Sequence, residues 1–360
     1  MNRSQIASMS PLNVWLLAFA ASLLTVQFAS GQNAASAKGE AADASDAGKD
    51  SPDTDSVLTF TAPKQYEMLI GLKVTAANQN MVSVTASTVF PDNWPEQKVE
   101  LLEANVPAPF QFGFRELPGG NKQLLFQSPF VPAGTTAEAT VKVRVEKMQI
   151  VGPTDTSTFV VPKRATRELK NFLGNSPYID ATSSEIRKIV REIDLKEPAN
   201  DWQRIEMLYD WVRENIAYEN GELKSVKQAL KDKTGDCEEM TSTFVALCRS
   251  ADVPARCVWI PNHCYPEFYL EDETGAGHWF PCQVAGTRAF GSMPEYLPIL
   301  QKGDRFKVPE DKELLRYLND KLKSQELYKA GMPTPKVEFI RQLLGDGAKI
   351  PAPDAAASGK

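Results

Sequence analysis

A cysteine at the start of a helix can serve as a nucleophile, and the run Thr234-Gly235-Asp236-Cys237-Glu238-Glu239-Met240 places one there. Gly235 permits a tight turn, and Asp236 with Glu239 has the spacing of a capping box. Met240, Phe244 and Leu247 then recur at helical spacing, so Cys237 falls on the first helical residue. There the unpaired backbone N–H groups and the helix dipole favour a thiolate and can hold an oxyanion. The competing reading is a small, buried, apolar cysteine. A cysteine nucleophile also needs a base within hydrogen-bond reach. The chain has two histidines, His263 and His278.

These side chains need strands to hold them. His263-Cys264-Tyr265-Pro266-Glu267-Phe268-Tyr269 reads as a short strand. Side-chain alternation puts His263, Tyr265, Glu267 and Tyr269 on one face, and Cys264, Pro266, Phe268 and Leu270 on a core face. A turn over 271–277 leads to His278-Trp279-Phe280-Pro281-Cys282-Gln283, which would return as a hairpin. Pro266 and Pro281 imply edge positions or bulges.

Further pieces fit this order: Tyr209-Asp210-Trp211-Val212-Arg213 and Ile216-Ala217-Tyr218 before the cysteine, then Ala246-Leu247-Cys248-Arg249 and Val253-Pro254-Ala255-Arg256 after it. With Gly235-Asp236-Cys237 and His263-x-Tyr265-x-Glu267, the stretch 167–283 resembles the transglutaminase-like superfamily, as an exported bacterial-type member. The resemblance covers about a third of the chain and implies a papain-like catalytic core with a Cys–His–Asp triad. It implies Cys237 as nucleophile and His263 as base.

The third position departs from the family pattern. An aspartate is expected after the tryptophan of the second strand, and here Gln283 stands in its place. A glutamine carbonyl can orient the imidazole, but a neutral amide stabilises an imidazolium less than a carboxylate does, so a weaker nucleophile is expected. The alternative is that Gln283 is only a polar strand end. Asp252 stands where the family has glycine, and aspartate tolerates the left-handed conformation. Glu238 and Glu239 are expected on a solvated capping face. Glu267 is expected to face solvent or, less favoured, substrate. Tyr265 stands where the family prefers tryptophan.

The 360 residues allow one or two folded domains with tails, and a net charge of −6 gives no reason to expect nucleic acid as a partner. Residues 1–31 read as a signal peptide: Arg3, an apolar run from Val14 to Leu24, then Ala29-Ser30-Gly31. The run is short for a membrane span, so no stable span is expected after cleavage, and a secreted or periplasmic location follows. Residues 32–56 lack bulky apolar side chains and read as a disordered linker. Residues 57–151 contain runs that read as strands at 57–61, 68–75, 81–90, 98–102, 123–126 and 140–150, an all-β sandwich without cysteine or histidine.

Residues 157–302 read as the transglutaminase-like domain. Thr182-Ser183-Ser184-Glu185 is a capping box for one helix, Asn200 caps the next and Ser225 a third. Helices precede the cysteine and strands follow it, so the fold class is α+β. Leu314, Leu315, Leu318 and Leu322 have helical spacing, which makes 303–345 a helical extension. Residues 346–360 read as a disordered tail.

All five cysteines lie between Cys237 and Cys282. Export permits disulfides, with Cys264 and Cys282 able to meet across the hairpin and Cys257 as a third candidate. There is no C-x-x-C knuckle, H-x-x-x-H helix or clustered acidic loop, so no metal or other cofactor is expected. The resemblance implies an exported cysteine hydrolase or acyltransferase acting on a peptide or protein substrate. The alternative is a weak or inactive domain kept as a peptide-binding module. The sequence does not address oligomeric state.

Overall fold

The computed structural model describes residues 28–30, 57–325 and 334–345. The expected linker, tail and leader lie outside these residues, apart from Phe28–Ser30 (β1) at the leader's end.

Period-two alternation builds the amino-terminal part. Lys64–Thr75 (β2) turns Tyr66, Met68, Ile70, Leu72 and Val74 inward, all buried. Met81–Phe90 (β3), Gln97–Asn105 (β4), Gln111–Leu117 (β5), Asn121–Val131 (β6) and Thr136–Lys147 (β7) follow, every pairing antiparallel. Sequence reading missed β5. Its apolar alternation is short, Phe112 and Phe114 around Gly113, and then gives way to Arg115 and Glu116.

The second part opens with four helices: Ser184–Asp194 (α1), Asp201–Asn215 (α2), Val226–Asp232 (α3) and Cys237–Ser250 (α4). Asn200 and Ser225 cap α2 and α3 as expected. For α1 the cap is Ser183, one residue later than the predicted box, because its hydroxyl accepts from the Ile186 N–H. A sheet follows, made of Ala255–Ile260 (β8), His263–Glu271 (β9), Gly277–Gln283 (β10), Ala289–Phe290 (β11) and Gln301–Lys302 (β12), in the order β11-β10-β9-β8-β12. Helices come before strands, an α+β arrangement. Trp202 of α2 packs edge-on against Phe268, Phe280 and Phe290 of this sheet, and α4 lies against the same core.

Pro266 lies in a central strand rather than at an edge. The β9–β10 ladder ends at Glu267↔Pro281, and β10 then pairs with β11 at Cys282↔Phe290. Both prolines therefore sit where β10 changes partner, so their missing N–H groups cost the ladder little.

Among the described residues of the predicted helical extension, 303–325 and 334–345, there is no α-helix. Lys321–Gln325 (β13) pairs with β3, and Lys336–Leu344 (β14) pairs with β2 along its whole length. The resulting sheets run β1-β5-β6-β3-β13 and β14-β2-β7-β4, and their buried residues form one apolar cluster. The unpaired edges of β2 and β3 supply ladder hydrogen bonds that outweigh the local helical spacing of the leucines. Leu318 is buried in that same cluster, and Leu315 packs against it.

Buried polar groups join the two parts. Lys302 Nζ binds Glu96 Oε1 at 2.6 Å and Glu267 Oε1 at 2.7 Å, and the Gln97 and Asn121 side chains bond the backbone of Ile299 and Lys302. Among the described residues no helix is long and apolar enough to cross a membrane.

Candidate active site

The start of α4 is fixed by the capping box that the sequence shows. Asp236 accepts from the Glu238 N–H at 2.7 Å, and Glu239 Oε2 accepts from the Asp236 N–H at 2.8 Å. Glu239 Oε1 also accepts from the Lys224 N–H, so this side chain is buried rather than on the expected solvated face. Gly235 is required by close approach, since a Cβ there would stand 2.4 Å from the Glu239 Cβ. Cys237 is the first helical residue and is 8% exposed.

A two-residue turn at Pro261-Asn262 closes the β8–β9 hairpin, with Ile260 paired to His263. Asn262 has φ 60°, a left-handed conformation asparagine adopts more readily than most residues. His263 Nε2 lies 2.9 Å from Gln283 Oε1. An amide oxygen only accepts, so Nε2 carries the proton and Nδ1 is left for another partner. Nδ1 is buried with no hydrogen-bond partner, and the ring is close enough to Cys237 for each to shift the other's ionisation. Gln283 is itself anchored, its carbonyl accepting from the Tyr209 hydroxyl at 2.7 Å and from Arg213 at 3.2 Å. The structure thus brings Cys237, His263 and Gln283 together.

The Cys237 thiol is held at about 4, far below an ordinary thiol. Hydrogen bonding from the Cys264 thiol is the largest cause, burial opposes it, and the His263 ring and Cys264 N–H lower it further. Cys237 pushes His263 above the usual imidazole range, against burial. Besides the neutral amide at position 283, which acts on the ring, Cys264 supplies donors to the sulfur that the sequence does not reveal. Burial pushes the thiols of Cys248, Cys257, Cys264 and Cys282 up.

Cys264 is the contributor that sequence reading missed. It was expected on the core face, with a disulfide to Cys282 open, yet all five cysteines are free. Its sulfur lies 3.5 Å from the Cys237 carbonyl, while Cys282 faces the Pro266 carbonyl instead. Glu267 also departs from expectation. At 1% exposure it meets neither solvent nor substrate, and it binds Arg256 and Lys302. Those cations hold its carboxyl at about 2, against burial. His278 pairs with Asp272 at 2.7 Å, towards the other end of the β9–β10 hairpin.

Cys237 and His263 open into a cavity of about 820 Å³. Its walls come from both parts of the chain. Tyr178, Leu223 and Trp259 belong to the helix-and-sheet part, Leu314 to the segment that follows it, and Met68 and Leu343 to the β-rich part.

The profile of the transglutaminase-like superfamily matches residues 187–284. A solved structure from Cytophaga hutchinsonii, described as a candidate cysteine protease, shares the fold with a TM-score of 0.51 at 15% identity, covering 78% of this chain and 99% of its own. A second, a candidate protease from Parabacteroides distasonis, aligns with a TM-score of 0.24 at 10% identity over 58% of this chain and 47% of its own, too little to bear on the fold. No curated protein matches. The matched profile spans α4 and the strands carrying His263 and Gln283, so it is this stretch, 187–284, that is similar to the transglutaminase-like superfamily.

Proposed function

We propose that this protein is an exported cysteine hydrolase that cleaves peptide or amide bonds through Cys237, His263 and Gln283. The observation that carries the proposal is a thiol held at about 4 beside an imidazole whose other nitrogen is fixed by an amide. The thiolate of Cys237 attacks the substrate carbonyl. The Cys237 N–H, without an intrahelical partner, helps hold the oxyanion. The protonated His263 gives its proton to the departing amine, leaving an acyl-enzyme. His263 then takes a proton from water, and the hydroxide equivalent releases the acid. Gln283 keeps the ring in place throughout. Water as acceptor, rather than an amine, follows the description of the Cytophaga hutchinsonii protein. Export rests on the apolar run from Val14 to Leu24.

The test is digestion of a mixed peptide library followed by mass spectrometry. Cleavage is expected together with an acyl adduct on Cys237 in acid-quenched samples. Cys237→Ala is expected to lower turnover by more than about a thousandfold. Turnover surviving in that variant would exclude the mechanism. Stoichiometric peptide binding with neither cleavage nor adduct would favour a binding module instead. Gln283→Ala should slow cleavage by roughly ten- to a hundredfold, less than loss of the general base itself. An unchanged rate would remove Gln283 from the mechanism.

A further inference from the structure

Three large apolar side chains line the cavity that holds Cys237 while staying well exposed: Tyr178 at 48%, Leu223 at 40% and Leu314 at 38%. Elsewhere on the described surface such residues do not share a cavity with a reactive thiol. Tyr178 also has φ 69°, a conformation that a bulky residue rarely adopts, and its carbonyl is held by the Val226 N–H at 3.0 Å. The backbone is thus fixed where it presents the ring to the cavity.

Leu314 is held in place with comparable firmness. Leu315 exchanges both backbone hydrogen bonds with Phe306 at 2.8 Å. Arg316 reaches into α4, donating to the Ser242 hydroxyl at 2.8 Å and to the Glu238 carbonyl at 3.3 Å. Tyr317 packs edge-on against Trp259, and its hydroxyl accepts from Arg341 of β14 at 3.1 Å. Residues 314–317 lie outside the stretch matched by the superfamily profile.

We propose that a large apolar side chain of a peptide substrate seats against Tyr178, Leu223 and Leu314, beside the amide that Cys237 attacks. This rests on the hydrolase reading above. Asp236 and Glu238 on the cavity wall disfavour an acidic side chain beside them; of the two guanidiniums that line the cavity, Arg316 binds Glu238 and Ser242 with Nη1 left unpartnered, and Arg341 binds Asp320 and Tyr317. A preformed apolar wall discriminates by the burial of the side chain it receives.

The test uses internally quenched peptides in which each position in turn is Leu, Phe, Gly, Asp or Lys. At one position, Leu or Phe should raise kcat/KM at least about tenfold over Gly and more over Asp. Leu314→Ser and Leu223→Ser should each shrink that preference severalfold, with folding checked by thermal melts. Binding of the same peptides to Cys237→Ala, followed by fluorescence anisotropy, should show the same ranking without turnover. Apolar preference in binding with no cleavage by the wild type would sink the hydrolase reading and leave the pocket standing. Cleavage indifferent to the side chain, or a preference untouched in both serine variants, would overturn the pocket and leave the hydrolase. Neither binding nor cleavage of any peptide would overturn both.

Discussion

Alkylation of Cys237 by iodoacetamide at pH 5 is expected to be fast in the wild type and more than about tenfold slower in His263→Ala. At pH 5 a thiol titrating at about 4 is mostly thiolate, whereas an ordinary one, near 8.5, is almost entirely protonated. Loss of the ring removes the positive charge that lowers the Cys237 thiol. The thiol need only rise above about 6 for its thiolate fraction at pH 5 to fall tenfold. Cys264 still donates to the sulfur, so full return to the ordinary value is not expected. The other four thiols are buried and pushed up, so the label should map to Cys237. For turnover the signs run in opposite directions on the two sides. As pH falls through about 4, the thiolate is protonated and activity is lost. As pH rises past the elevated His263 value, the ring loses the proton that the leaving amine needs, and activity falls again. A labelling midpoint near 8 in the wild type would refute the thiolate, as would equal rates with and without the ring.

Asp304→Ala is expected to destabilise the protein by about 3–5 kcal/mol, read from the midpoint of urea unfolding. Asp304 binds Arg249 Nη2 through both oxygens, at 2.7 and 2.9 Å, with the two side chains 1% and 0% exposed. The other guanidinium donors are occupied by the carbonyls of Ala255 and Gly174 and by the Ser176 hydroxyl. Removal of the carboxylate leaves that cation in the interior without an opposite charge, and water cannot reach it. The double variant Arg249→Met/Asp304→Leu should recover most of the loss, because a buried pair contributes little over an apolar replacement of similar volume. A loss below about 1 kcal/mol in Asp304→Ala would show that the cation is not isolated. Arg249 is in the last turn of α4 and Cys237 in the first, so this pair also anchors the far end of the helix that carries Cys237.

Where a role depends on neighbours in the chain, the sequence was a sufficient guide. The capping box of Asp236 and Glu239, Cys237 as first helical residue, and His263 at the head of a strand all follow from spacings of a few residues. Backbone geometry at helix starts and along strands is set locally, so residue type and period report it directly. Gln283 was reached through its place after Trp279, and the tertiary fold brought its amide to 2.9 Å from the ring.

Where a role depends on distant partners, local patterns misled. Leu314, Leu315, Leu318 and Leu322 have the spacing of a helix, yet the segment is drawn out to complete sheets begun more than two hundred residues earlier. Glu267 looked solvent-facing by alternation, and Lys302 and Arg256 made it a buried anion. The charge on Cys237 belongs to the same class. Residue identity put a sulfur at a helix start, but Cys264 and His263, brought in by β9, decide that it ionises near pH 4. Sequence alone therefore determined which local element carries each candidate group. The tertiary structure decided their ionisation and what surrounds them, because electrostatic shifts and strand pairing act between atoms close in space, whatever their separation along the chain.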